Sequence, residues 1–115
     1  MNLAAERIGG TNLQRSCAMT FGMVVMLRVH EGRDADFMAT ISELASVVAA
    51  TEPGTRLYLP MQVRDAPGSY VIMELYDREA DHDSHMENPQ ARPYFARLNE
   101  LIAERTNVLN LDPFA

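Results

Sequence analysis

Hydrophobic and polar positions change period several times along this chain. Between Met19 and His30, Phe21, Met23, Val25, Leu27 and Val29 fall on one side of an extended segment. Val24, Met26, Arg28 and His30 fall on the other, the period-two pattern of a strand. After a Glu31-Gly32 turn the spacing becomes helical over 34–50. Phe37, Ile41, Leu44 and Val48 recur at intervals of three and four, with Ala45 beside them. Glu52-Pro53-Gly54 ends that helix, because proline cannot continue it and pushes its predecessor to extended geometry. Alternation returns over 56–64 and again over 69–76, separated by the Asp65-Ala66-Pro67-Gly68 turn. In the second of these strands Val71, Met73 and Leu75 oppose Tyr70, Ile72, Glu74 and Tyr76. Asp77 is placed to cap a short helical stretch to about Met86. Asn88-Pro89 turns the chain, and Pro93 suits the first position of a main second helix running to about Arg105. That helix is expected to bury Phe95, Leu98, Leu101 and Ile102, and Asn107–Leu111 makes a last short strand.

The predicted order is β-α-β-β-α-β, an α+β chain of ferredoxin-like type with a four-stranded antiparallel sheet. Pro60 inside the second strand requires that strand to lie at a sheet edge, where the split-βαβ order puts it. Residues 1–18 show no periodicity and carry a Gly9-Gly10 break, so they read as an extension ahead of one domain over 19–115. Two helices cover only one side of such a sheet. The mixed side, assigned Val24, Met26, Tyr58, Tyr70, Ile72 and Tyr76, then holds more apolar surface than a monomer leaves in water. A second copy packed sheet against sheet is the simplest cover, so a homodimer is expected.

Composition narrows the chemistry. At 115 residues the chain is one domain, and its 47% hydrophobic and 23% charged content is that of a globular protein. A net charge of −6 argues against a nucleic-acid partner, which needs a basic face. All ten cations are Arg, and without Lys there is no lysine Schiff base, no pyridoxal phosphate site and no P-loop. The apolar stretch Met23 to Leu27 is far too short to span a bilayer, and residues 1–18 do not support a secretory signal, so a cytoplasmic protein without membrane attachment is expected. The lone Cys17 cannot form an internal disulfide and reads as incidental.

Gly32 before a helix, Glu52-Pro53-Gly54 after it, then Tyr58, Glu74-Leu75-Tyr76 and His85 together form a pattern. It resembles that of the antibiotic-biosynthesis-monooxygenase family of dimeric α/β barrels, over about residues 22–112. The resemblance implies oxygen insertion into quinols, small aromatics or polyketide-like compounds by O₂, with no cofactor and no metal. A deprotonated phenol is electron-rich enough to reduce O₂ itself, so the protein need only hold the substrate, remove a proton and exclude water. The family often places Trp where this chain has Tyr76. The haem-degrading branch relies on a pocket Trp, and this chain contains none.

His85 and Tyr76 are accordingly the catalytic candidates, His85 as proton acceptor near neutral pH and Tyr76 stacked on an aromatic ligand. Glu74, Tyr58, His30 and Arg28 are candidate substrate-binding residues. Bland readings stand beside these: His85 capping a turn through backbone carbonyls, and Glu74 paired with Arg28 or Arg64 on neighbouring strands. His82 and His85 lie three apart beside Asp81 and Asp83, which is a weak metal signal without a third ligand. The competing functions are a non-catalytic dimeric module that binds a small molecule or partner, and a non-oxidative isomerase on the same fold. A cavity holding His85 and Tyr76 would favour an enzyme, and side chains filling it would favour a module.

Overall fold

A computed structural model describes residues 19–114. The expectations for residues 1–18, including Cys17, lie outside the described residues. The elements run β1 (Phe21–Val29), α1 (Asp34–Thr51), β2 (Thr55–Gln62), β3 (Ser69–Tyr76), α2 (Glu79–Glu87), α3 (Arg92–Leu101) and β4 (Ile102–Leu111). The four strands form one antiparallel sheet in the order β2-β3-β1-β4. Pro60 therefore does sit on an edge strand, pairing only towards Ile72 of β3.

Helix α1 buries Phe37, Ile41, Leu44 and Val48, the stripe that the helical spacing marks out. These pack on Val25, Leu27 and Val29 of β1, on Tyr70 and Ile72 of β3, and on Leu98 and Leu101 of α3. Gly32 turns the chain into α1 at φ 79°, in the left-handed region that glycine enters without a Cβ clash.

Two expectations are corrected. Tyr70, Ile72, Glu74 and Tyr76 of β3 are buried on the helix side of the sheet, together with half-buried Tyr58 of β2. Register decides this. Val25 pairs with Ile72 and Leu27 with Tyr70, so these residues share the face of β1 that meets the helices. The open face instead carries Val24 and Met26 of β1, Leu57, Leu59 and Met61 of β2, and Val71, Met73 and Leu75 of β3. The second correction concerns the end of the chain. Helix α3 stops at Leu101, and β4 already begins at Ile102, opposite Val29. Pairing with β1 overrides the helical spacing of Leu98, Leu101 and Ile102, and the β1–β4 ladder absorbs the difference in two register shifts.

Candidate active site

Glycine makes the corner on which the site is built. A Cβ at Gly54 would overlap the Asp81 side chain, so glycine here lets α2 approach the end of α1 without displacing Asp81. The approach brings Glu52, the residue after α1, against His85 of α2. His85 Nδ1–H donates to both Glu52 carboxylate oxygens, at 2.8 and 2.9 Å. Asn88 Nδ2 donates to the same carboxylate at 2.8 Å and Thr55 Oγ1 at 2.7 Å. The two side chains are only 8% and 3% exposed, and a carboxylate with three donor residues is well satisfied at that depth.

With Nδ1 committed to Glu52, Nε2 is left as the acceptor, and no protein partner meets it among the described residues. His85 lines a cavity of about 360 Å³ between the sheet and helices α2 and α3. Its floor is Met23, Val25, Leu27 and Ile72, and Tyr58 and Phe95 supply aromatic walls. Both rings stand 5.1 Å from the imidazole, Phe95 edge-on. Burial holds the His85 pKa below its ordinary value, more than the Glu52 carboxylate raises it, so the ring is neutral at pH 7.

Glu74 enters the cavity from β3 and accepts a hydrogen bond from the Tyr76 hydroxyl. Burial pushes its carboxyl pKa up, against the pull of the Tyr76 bond, and the Glu52 charge adds to the rise. Burial and the Glu74 charge also push Tyr58 and Tyr76 up, so both remain phenols. Tyr76 is completely buried and stands behind Glu74 and His85, its ring 5.8 Å from the imidazole, not among the cavity-lining side chains.

Of the residues singled out from the sequence, the structure thus brings together His85, Glu74, Tyr58 and Tyr76. Arg28 and His30 lie elsewhere. Arg28 is on the open sheet face, bonded to Glu104 at 3.3 Å, and His30 is exposed beyond the end of β1. Neither bland pairing occurs: His85 bonds a carboxylate rather than turn carbonyls, and Glu74 bonds Tyr76 rather than an arginine. His82 lines the cavity too, with its ring 6.4 Å from that of His85. Among the described residues no group of three or more His, Cys, Asp or Glu is arranged to hold a metal.

A carboxylate-oriented imidazole with a free Nε2 on an apolar cavity can take a proton from a bound hydroxyl. The family profile of antibiotic biosynthesis monooxygenases matches residues 20–97, the span that carries Glu52, Glu74, Tyr76 and His85. The chain belongs to this family. No curated protein sequence matches it. Among solved structures, a candidate antibiotic biosynthesis monooxygenase from Caulobacter crescentus CB15 aligns with TM-score 0.79 at 23% identity, covering 91% of this chain and 99% of its own. A second candidate of the same description, from Chloroflexus aurantiacus J-10-fl, aligns with TM-score 0.74 at 23% identity, covering 84% and 94%. A conserved protein from Methanosarcina mazei Go1 aligns with TM-score 0.78 at 18% identity, covering 87% and 98%. At these identities the likeness is one of fold.

For an antibiotic-biosynthesis-monooxygenase chain, Glu52 is the residue that sequence reasoning missed as a site group. It appeared in the helix-breaking Glu-Pro-Gly stretch of the family pattern, but with no role of its own. Phe95, Asn99 and Arg105 also line the cavity, and each falls in a segment read as an ordinary helix.

Proposed function

We propose that the protein is a monooxygenase that uses O₂ on a small phenol or quinol, with His85 as the general base and no metal or flavin. His85 on the wall of the cavity, held from behind by Glu52, carries this reading. Its Nε2 takes the proton of a bound hydroxyl, and the resulting phenolate gives electrons to O₂. A carbon–oxygen bond then forms on the ring, the O–O bond breaks, and water leaves with one oxygen atom. The ring gains the other oxygen and loses two hydrogens, becoming a quinone, so the substrate supplies all the electrons. Tyr58 and Phe95 hold the ring, the apolar floor excludes water, and Tyr76 fixes Glu74 from behind. The cavity volume falls in the range of small-molecule sites, roughly 300–1,000 Å³.

The same reading includes a two-fold homodimer formed through the open sheet face. Leu57, Leu59 and Met61 are 37%, 41% and 44% exposed there, and Leu109 and Leu111 of β4 are 44% and 45% exposed. Such a continuous aliphatic face is costly in water. The aromatic residues that first suggested a dimer are on the other side, and the aliphatic ones make the argument instead.

Oxygen uptake with a panel of quinols and hydroxynaphthalenes tests the activity, with mass spectrometry under isotopically heavy O₂. One heavy atom in the quinone and turnover that survives dialysis against a chelator support it. Ligand binding with no oxygen consumed above the protein-free rate would leave a binding module.

A further inference from the structure

The β1–β4 ladder steps from Met26 opposite Asn107 to Leu27 opposite Arg105, leaving Thr106 without a partner in β1. Plain alternation from Val108 would put Thr106 on the helix side and Arg105 on the open face. The bulge reverses this and turns Arg105 to the side of Leu27, where it lines the cavity. Arg105 is exposed at the mouth with Asn99 and Met86. Its Nη2 donates to Asn99 Oδ1 at 3.0 Å, a neutral partner that orients the guanidinium without neutralising it.

Arginines elsewhere are treated differently. Arg28, Arg33, Arg56, Arg78 and Arg97 each have a carboxylate oxygen within 4.0 Å. Arg64 and Arg92 pair with none among the described residues, but they do not line the cavity. Arg105 combines both properties: it faces the cavity and has no carboxylate partner among the described residues. In a chain of net charge −6 this is a local cation against the general field. It is also felt inside, where it alone opposes the burial and carboxylates that raise the Tyr58 pKa.

We propose that Arg105 and Asn99 form an anion-accepting end of the cavity, opposite the Glu52–His85 end, and that the ligand is a flat aromatic carrying a carboxylate. This deepens the substrate reading above and rests on the cavity being the ligand site. The guanidinium presents two parallel N–H donors to a carboxylate, and Asn99 holds that fork in place. Glu74 and Arg105 are separated by β1 and four residues of register, about 16 Å at the backbone. Their side chains close in from both ends, leaving room for one or two fused rings over Val25 and Ile72.

The test compares 2-naphthoate with neutral 2-naphthalenemethanol by calorimetric titration at low salt. The wild-type protein should bind the carboxylate at least tenfold more tightly, and added salt should erode that preference because Arg105 is exposed. Arg105→Gln should abolish the preference while leaving the alcohol within about twofold. Asn99→Ala should fall between. Arg105 buries no group that its loss would orphan, so the variant should melt with the wild type. Equal binding of the two ligands by the wild type, or an unchanged preference in Arg105→Gln, overturns the proposal and leaves the cavity as a site for neutral aromatics. Binding of neither ligand overturns it together with the cavity reading.

Discussion

Two substitutions at His85 separate its chemistry from its place in the fold. His85→Ala removes one of three donor residues from a Glu52 side chain that is 8% exposed. A hydrogen bond to a charged group contributes about 1.5–3 kcal/mol, and losing the ring from between Tyr58 and Phe95 adds about 1 kcal/mol or more. The sum is about 2.5–4 kcal/mol. In a domain of this size each kcal/mol moves the melting temperature by about 4–8 °C, so His85→Ala should melt at least ~10 °C lower. His85→Asn differs, because the Asn amide nitrogen occupies nearly the place of Nδ1 and still donates to Glu52. Its cost should be about 1 kcal/mol, mostly lost packing.

What His85→Asn lacks is the basic Nε2. A positioned general base contributes roughly 10²–10⁴-fold, so turnover in a folded His85→Asn variant should fall by at least a hundredfold. Oxygen uptake at saturating quinol reads this directly, alongside thermal melts of all three proteins. The deficit should shrink towards pH 10, near the intrinsic phenol pKa of about 10, where the substrate ionises unaided. Because burial lowers the His85 pKa, the wild-type acid limb of kcat/KM should lie below the ordinary imidazole value of about 6.5. Full turnover by folded His85→Asn would refute the base assignment, and an acid limb above that value would refute the electrostatic argument.

Further outcomes follow from the same geometry. The raised Glu74 pKa means the native state binds protons that the unfolded chain has released, so this group costs stability as pH rises above about 4.5. Glu74→Gln should therefore melt higher than wild type at pH 8, and the gain should vanish at pH 4; a variant less stable than wild type at pH 8 would contradict it. Gly54→Ala should cost about 1–3 kcal/mol and reduce turnover by pushing α2 and His85 away from Glu52, and an unchanged melt would show that Asp81 yields freely. Sedimentation should give a dimer of the 12.9 kDa chain, with Leu59→Glu shifted to monomer; a wild-type monomer at micromolar concentration would remove the interface argument.

The elements were legible in the sequence where one physical signal acted alone. The stripe on α1 and the edge position forced by Pro60 are of that kind. The β3 faces were not, because both strings of alternating residues are apolar enough to be buried. The more aliphatic string, Val71, Met73 and Leu75, looks like core, yet it faces away from the helices. The mixed string of Tyr70, Ile72, Glu74 and Tyr76 takes the helix side, since there the sheet borders a cavity with polar partners as well as a core. Composition of a face therefore misleads where a cavity lies on the core side. Site chemistry had a related blind spot. His85 could be picked by its place in the family pattern, but its partner Glu52 is 33 positions away and sits in a helix-stop motif whose local role already explains it. Arg105 was hidden more deeply: its direction depends on a bulge at Thr106, and no alternation rule applied to residues 102–111 predicts that. Long-range register, not residue type, decides which side chains meet in this site. Its test is therefore positional. Moving the charge to the next position, Arg105→Thr with Thr106→Arg, keeps composition and net charge, yet should lose the carboxylate preference as fully as Arg105→Gln.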